Sequence, residues 1–395
     1  MQADQLDQPG RHGITKLFII GCGPGDEDLL TGKARKLLKT SKRILHSREM
    51  PLSVLMEELK KPIETALLVS GDSGFFSVAK MIRRDFSDRY DIEISPGICS
   101  VSYFSAKIKI PYDDANLISL HGRCSSIVPK AAYNKKIFAL TGGENSVKEI
   151  CRNLCCYDMG HLTVAIGERL SYPEEKILHG QASDFENMDF DPLSIMYIEN
   201  PTAANPHIPL RDEDFVREAV PMTKKEVRWL ILQKLEILPS DIVFDIGAGS
   251  GSVSVEMARR AHEGFVYAVE TKKDACALVR KNMLKHGAHN IKIVQGKAPE
   301  SLEGLPRPNR AFIGGSLGRA DAIIEKLKAA NPDVKISASA ISLQTLHQMT
   351  ESFAKHGLQN TELICVNIAK SKKTGNYDMM TANNPIYIIT GGGHG

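Results

Sequence analysis

Short apolar runs alternate with amphipathic stretches along the whole chain, the pattern of α/β architecture in which buried strands and half-buried helices take turns. In the first half, residues 16–21 read as a buried strand and 28–40 as the helix after it. Further strands are expected at 43–46, 65–69, 92–95, 117–120, 136–140, 162–166 and 194–198. In the second half, strands are expected at 242–246, 265–269, 291–294, 311–313, 334–339, 362–369 and 386–389. Helices fill the intervals at 252–260, 274–286, 319–330 and 343–356. Seven strands with helices between them predict an open, doubly wound sheet for this half.

Between the halves the pattern breaks. Pro201, Pro206 and Pro209 fall within nine residues, and Pro221 follows. Proline removes a backbone donor and pushes its predecessor to extended conformations, so no long element is expected there. The chain therefore divides into a polar tail at 1–13, a first domain at 14–200, a linker at 201–220 and a second domain at 221–395.

Composition narrows the class. With 42% hydrophobic and 25% charged residues among 395, the chain has the make-up of a globular protein and not of a disordered one. No run approaches the roughly 18–20 apolar residues of a membrane span, and the N-terminus lacks the layout of a signal peptide, so a cytoplasmic protein without membrane partners is expected. Eight cysteines are spread along the chain with no Cys-x-x-Cys pair. The cluster Cys151, Cys155 and Cys156 reads as a helical face with free thiols, and no metal site is expected. Residues 1–222 hold 27 Lys and Arg against 31 Asp and Glu, a net of −4; residues 223–395 hold 23 against 16, a net of +7. A basic second half suits a polyanion, whether nucleic acid or a small polycarboxylate.

The sharpest motif is Asp245-Ile246-Gly247-Ala248-Gly249-Ser250-Gly251, where an apolar strand runs into glycines and a helix begins. Glycine lets the backbone turn tightly and lie against a ligand, and the helix start adds amide donors. Some twenty residues on, Glu270 ends the next strand, where an acid grips ribose hydroxyls. A dinucleotide site prefers its third glycine one residue later. Asp245 would repel a pyrophosphate but suits a cationic, phosphate-free ligand such as S-adenosylmethionine.

These residues resemble the class I S-adenosylmethionine methyltransferases, and more narrowly the CbiT-type enzymes of corrin biosynthesis. The narrower likeness rests on 221–228, 245–251, 293–299 and 312–316. It implies that Thr223, Gly247, Ala248, Gly249, Ser250, Gly251, Glu270 and Ala298 line the cofactor and that Gly314, Gly315 and Ser316 face the substrate. Lys297 and Ala311 depart from the family, which often carries acids at both positions.

The first half carries three glycine loops at strand ends: Gly21-Cys22-Gly23-Pro24-Gly25-Asp26, residues 69–77 and residues 95–102. In an open α/β sheet such loops gather along one edge, where ligands bind. None fits a nucleotide-triphosphate P-loop. With residues 119–123 and 167–175, the set resembles the tetrapyrrole methylase family (class III methyltransferases) of the CbiE type. That likeness implies two α/β subdomains with S-adenosylmethionine in the cleft between them. Pro24, Gly71, Asp72, Ser100 and Leu140 match cofactor positions. Asp26 and His121 would be the chemical groups facing the macrocycle, and Arg123 and Arg169 would bind its carboxylates. Ser73 and Cys99 depart from the usual residues. Asp26 also reads as a helix N-cap, and the arginines as surface ion pairs.

A class III tetrapyrrole methylase followed by a Rossmann-like, doubly wound class I methyltransferase resembles the bifunctional, decarboxylating C5,15-methyltransferases of cobalamin (corrin) biosynthesis. The resemblance implies one S-adenosylmethionine site per domain, methylation of precorrin-6B or its cobalt form at C5 and C15, loss of the C12 acetate carboxyl, and self-association into a homo-oligomer. Two other readings stay open. An RNA-modifying methyltransferase would need a basic, aromatic-rich surface, and the chain has one tryptophan. An NAD-dependent oxidoreductase would use the 247–251 loop.

Overall fold

β1 (Thr15–Gly21) is buried from Leu17 onward, as a continuous apolar run in the middle of a parallel sheet must be. The computed structural model describes residues 15–120 and 126–393, and these form two compact units. One takes in the described residues up to 120 with Lys136–Cys155 and Gly160–Glu199; the other takes in Ser126–Lys135, Cys156–Met159 and the chain from Asn200 on. No helix among the described residues is long and apolar enough to cross a membrane.

In the first unit, α1 (Gly32–Thr40), β2 (Arg43–His46), α2 (Leu52–Leu59), β3 (Thr65–Val69), α3 (Ala79–Phe86) and β4 (Tyr90–Ser95) follow β1. All four strands run parallel in the order β2-β3-β1-β4. In register, Gly21 lies beside Val69 and Ile20 beside Ser95, so the loops after β1, β3 and β4 leave the sheet side by side. The helix expected at 28–40 is divided. Asp26 starts a short 3₁₀ turn over Glu27–Leu29, Leu30 is extended, and the Thr31 hydroxyl caps α1 by accepting from the Ala34 amide at 3.1 Å.

The chain goes on through α4 (Ser100–Ile108), β5 (Asn116–Ser119), α5 (Ile127–Tyr133), β6 (Lys136–Leu140), α6 (Val147–Cys156), β7 (Thr163–Glu168), β8 (Lys176–Gln181), α7 (Ala182–Phe185) and β9 (Ser194–Glu199). Their five strands form a mixed sheet, β5-β6-β9-β7-β8. The sequence pattern does not announce β8, whose residues are all partly or fully exposed at a sheet edge. On α6, Cys151 is buried, Cys155 half-buried and Cys156 exposed, and all three are free thiols. Burial pushes the Cys151 thiol up to about 12, which leaves it inert.

The second unit continues with α8 (Lys225–Leu235), β10 (Ile242–Ile246), α9 (Ser252–Arg260), β11 (Phe265–Glu270), α10 (Lys273–Lys285), β12 (Ile291–Gln295), β13 (Arg310–Ile313), α11 (Ala320–Ala330), β14 (Lys335–Ala340), α12 (Leu343–Lys355), β15 (Glu362–Val366), β16 (Ala369–Thr374), β17 (Tyr377–Ala382) and β18 (Ile386–Gly391). Seven strands make one sheet in the order β12-β11-β10-β13-β14-β18-β15, parallel except for β18, which is antiparallel to both its neighbours. The single strand expected at 362–369 ends at Val366. Ala369 instead opens the hairpin of β16 and β17, whose twelve residues are all exposed and therefore carry no apolar alternation to read.

The segment expected as a linker packs into this unit. Leu210 and Phe215 belong to its core. The fully buried Arg228 of α8 donates to the Leu210 carbonyl at 3.2 Å, to Asp212 Oδ1 at 2.8 Å and to the Thr223 carbonyl at 2.7 Å. A buried guanidinium needs such acceptors, and two of the three come from the proline-rich segment, while Arg228 Nε has no hydrogen-bond partner among the described residues. Helix α5 joins the same unit, where the Tyr133 hydroxyl donates to Asn290 Oδ1 at 2.8 Å.

Candidate cofactor and substrate sites

In the second unit, chain order reverses across β10, with β11 on one side and β13 on the other, the point at which open α/β sheets bind ligands. A cavity of about 640 Å³ lies there. Gly247 (φ +80°) and Gly249 (φ +54°) adopt left-handed backbone. A Cβ on Gly247 would stand 2.7 Å from the Gly315 amide nitrogen, so the loop after β10 lies directly against the loop after β13. Thr223, Gly247, Ala248, Gly249, Ser250, Glu270, Ala298, Gly314, Gly315 and Ser316 all line this one cavity. Gly251 does not: its φ is +76°, and a Cβ there would meet the Val279 backbone at 2.9 Å, so it lets α9 and α10 approach.

Two acids stand on the wall. Glu270 is already engaged: Oε2 accepts from the Gly249 amide at 3.0 Å, and Oε1 from the Thr271 and Lys272 amides at 2.7 and 3.0 Å. Its carboxyl is opposed by burial, yet these amide bonds hold it below its usual value. Sequence alone gives Glu270 a ribose; the structure adds that it anchors the glycine loop. Asp245 is 1% exposed, accepts from the Ser254 hydroxyl through Oδ2, and accepts nothing at Oδ1 among the described residues. Burial, with Glu270 nearby, pushes its carboxyl up to about 7. A buried, half-satisfied acid and a glycine cradle that a Cβ would fill fit a cationic nucleoside such as S-adenosylmethionine. Asn383, Asn384 and Ile386 complete the wall, at the foot of a hairpin that the sequence pattern does not reveal.

The first unit holds a larger cavity of about 1090 Å³, between its two sheets. Pro24, Gly71, Asp72, Ser100 and Leu140 line it. Three loops close its floor by backbone contact: Gly23 and Gly71 exchange amide hydrogen bonds at 3.1 and 3.0 Å, and a Cβ on Gly97 would meet the Gly21 and Gly71 carbonyls at 2.5 Å. Asp72 locks the arrangement, accepting from the Gly74 amide at 2.7 Å through Oδ1 and from the Gly97 amide at 3.0 Å through Oδ2.

Other expected groups lie elsewhere. Asp26 is exposed and off the cavity wall, where its carboxylate accepts from the Asp28 amide at 2.8 Å and so acts as an N-cap. Arg169 is also off the wall, 3.3 Å from both Glu174 and Asp191. His121 and Arg123 lie outside the described residues. The wall instead carries Arg48, Lys80 and Arg83, which the reading of the sequence passes over. Their only signal is the spacing of three between 80 and 83 at the start of a helix after a glycine loop. No cluster of His, Cys, Asp and Glu able to hold a metal ion occurs among the described residues.

Comparison with known proteins finds relatives of both halves of the chain. A family of precorrin methyltransferase domains matches residues 214–390, and a family of tetrapyrrole (corrin/porphyrin) methylases matches residues 49–186. The chain is 41% identical over 190 residues to a probable cobalt-precorrin-6B C(15)-methyltransferase (decarboxylating) of Pyrobaculum calidifontis, a match covering 47% of this chain and 96% of the relative. The chain belongs to the precorrin methyltransferase family. Its likeness also extends through both halves: it is 26% identical over 368 residues, 92% of its length and 85% of the relative's, to a precorrin-6Y C(5,15)-methyltransferase (decarboxylating) of Sinorhizobium sp.. A crystal structure of a precorrin-6Y C5,15-methyltransferase from Geobacter metallireducens GS-15 matches with 37% identity and a TM-score of 0.45, covering 47% of this chain and 97% of that one. This precorrin methyltransferase is thus an S-adenosylmethionine-dependent enzyme of cobalamin biosynthesis that acts on a tetrapyrrole, and the oxidoreductase reading of the 247–251 loop falls away.

Proposed function

We propose that the chain is bifunctional, with one S-adenosylmethionine site in each unit, and that both units methylate the same macrocycle. The first would methylate C5 of precorrin-6B or its cobalt form. The second would methylate C15 and remove the carboxyl of the C12 acetate. One observation carries this reading: two separate cavities, each at the carboxyl ends of its own strand set, occur in a chain that matches a C5,15-methyltransferase along 92% of its length.

S-adenosylmethionine supplies a methyl group on a good leaving group: the sulfur–carbon bond breaks, a carbon–carbon bond forms at the nucleophilic meso carbon, and that carbon gives up its proton. The protein's own task is alignment, which can supply several kcal/mol. In the second unit Glu270 fixes the loop that would cradle the nucleoside, and Asp245 offers a negative partner to a cation. Gly314, Gly315 and Ser316 would present the macrocycle across the same cavity. In decarboxylation the carbon–carboxyl bond breaks, carbon dioxide leaves, and the exocyclic carbon takes up a proton. The net +7 of residues 223–395 favours a substrate rich in carboxylates.

Incubation of the full chain with precorrin-6B and methyl-labelled S-adenosylmethionine tests the reading. Two labelled methyl groups and one carbon dioxide per macrocycle are expected. A product with one methyl, or with two and no loss of carbon dioxide, would refute it.

A further inference from the structure

The cavity of the first unit is charged against the trend of its surroundings. Residues 1–222 carry a net −4, yet the cavity wall presents three cations, Arg48, Lys80 and Arg83, and one acid, Asp72. Both oxygens of that acid already accept backbone amides. The cations differ in how they are held. Arg48 Nη1 donates to the Pro24 carbonyl at 3.2 Å and to the Tyr172 hydroxyl at 2.8 Å. Lys80 and Arg83 are exposed and have no hydrogen bond or ion pair among the described residues.

Their placement follows from the helix. On α3, Ala79, Ile82 and Phe86 turn into the core, while Lys80 and Arg83, three residues apart, share the face that borders the cavity. Arg84, next in the chain, is off the wall and bonded to Asp85 at 2.6 Å. The cavity, at about 1090 Å³, exceeds the range of roughly 300–1,000 Å³ that suits a single ligand, so a second molecule can sit beside a nucleoside.

We infer that Lys80 and Arg83 are a carboxylate-reading pair that binds the acetate and propionate groups of the macrocycle, the role the sequence assigns to Arg123 and Arg169. Arg169 is spent on Glu174 and Asp191, whereas these two cations are uncommitted at the cavity. An arginine fork matches a carboxylate in shape, and a neighbouring lysine adds a point charge. The inference rests on the reading that the first unit performs one of the two methyl transfers.

Steady-state kinetics of the full-length Lys80→Gln/Arg83→Gln double variant, following the two methylations separately by mass spectrometry, test it. KM for precorrin-6B in the first-unit transfer is expected to rise about tenfold or more, with kcat within about threefold. Its dependence on salt should weaken, because two screened charges are gone. Lys80→Arg/Arg83→Lys should recover most of the loss, and Arg84→Gln should change nothing. S-adenosylhomocysteine titration of the double variant should show unaltered affinity, which also reports that the unit is folded. An unchanged KM, or a loss of cofactor affinity equal to the loss of activity, would overturn the pair's role while leaving the two-site reading intact. Absence of the first-unit methylation in the wild-type chain would instead overturn the reading beneath it.

Discussion

The two cavities achieve a nucleoside site by opposite means. In the second unit, side-chain carboxylates do the organising: Glu270 holds the Gly249 amide, and Asp245 waits, buried and half-satisfied, behind the loop. In the first, backbone meets backbone across Gly21, Gly71 and Gly97, and the one acid is used up in locking the loops. The contrast teaches where each site is vulnerable. The second depends on a glycine loop and on the charge of its acids; the first depends on a clip between loops and on cations brought by a helix.

The largest expected effect comes from Gly247→Ala. Left-handed backbone at a non-glycine residue costs on the order of 1–3 kcal/mol, and the added methyl group would sit 2.7 Å from the Gly315 amide nitrogen. The full-length variant should yield macrocycle with one added methyl and its acetate carboxyl intact, read by mass spectrometry. Asp72→Ala is next, because two backbone amides lose their acceptor and the three loops lose their lock. Its product should also carry one methyl, but with carbon dioxide lost. If both variants gave the same product, the sites would not be independent.

Glu270→Ala should be milder. The loop keeps its glycines but loses one anchor, so cofactor affinity at the second site should fall by about ten- to a hundredfold, measured by calorimetry, with the first site untouched. Unchanged affinity would remove Glu270 from the site. The smallest effect is a pH dependence. The Asp245 carboxyl, ordinarily near 3.8, lies at about 7 in the folded protein, so its contribution to stability is complete below the lower value and fades as pH rises through the higher. A cation beside it favours the carboxylate, so binding S-adenosylmethionine there releases a proton and tightens as pH rises through 7. The gain should be severalfold, smaller for S-adenosylhomocysteine, which lacks the sulfonium charge, and absent in Asp245→Asn. A flat profile in the wild type would contradict the electrostatic role of Asp245.

Much of this contrast is legible in the sequence, and unevenly so. The inner strands were readable because both their faces are buried: 242–246, 65–69 and 136–140 coincide with β10, β3 and β6. So were the glycine loops, since only special backbone needs glycine at strand ends. The β16–β17 hairpin was not, because apolar alternation vanishes where every residue faces solvent. Nor was the packing of 201–220, where prolines signal irregular backbone but say nothing of Leu210 and Phe215 entering a core, or of Arg228 donating to the Leu210 carbonyl and to Asp212. Asp26 and Arg169 show a different limit. A charged residue beside a glycine turn reads equally as ligand or as cap and ion pair, and only coordinates reveal partners at 2.8 and 3.3 Å. Lys80 and Arg83 are the converse, ordinary helix charges until the fold sets them on a cavity.

The central claim is that two independent cofactor sites share this chain. Calorimetric titration of the full-length protein with S-adenosylhomocysteine measures it directly, with the Asp72→Ala and Gly247→Ala variants beside the wild type. Two ligands per wild-type chain and one per variant chain are predicted. A single ligand per wild-type chain, or loss of both from either variant, would contradict the account.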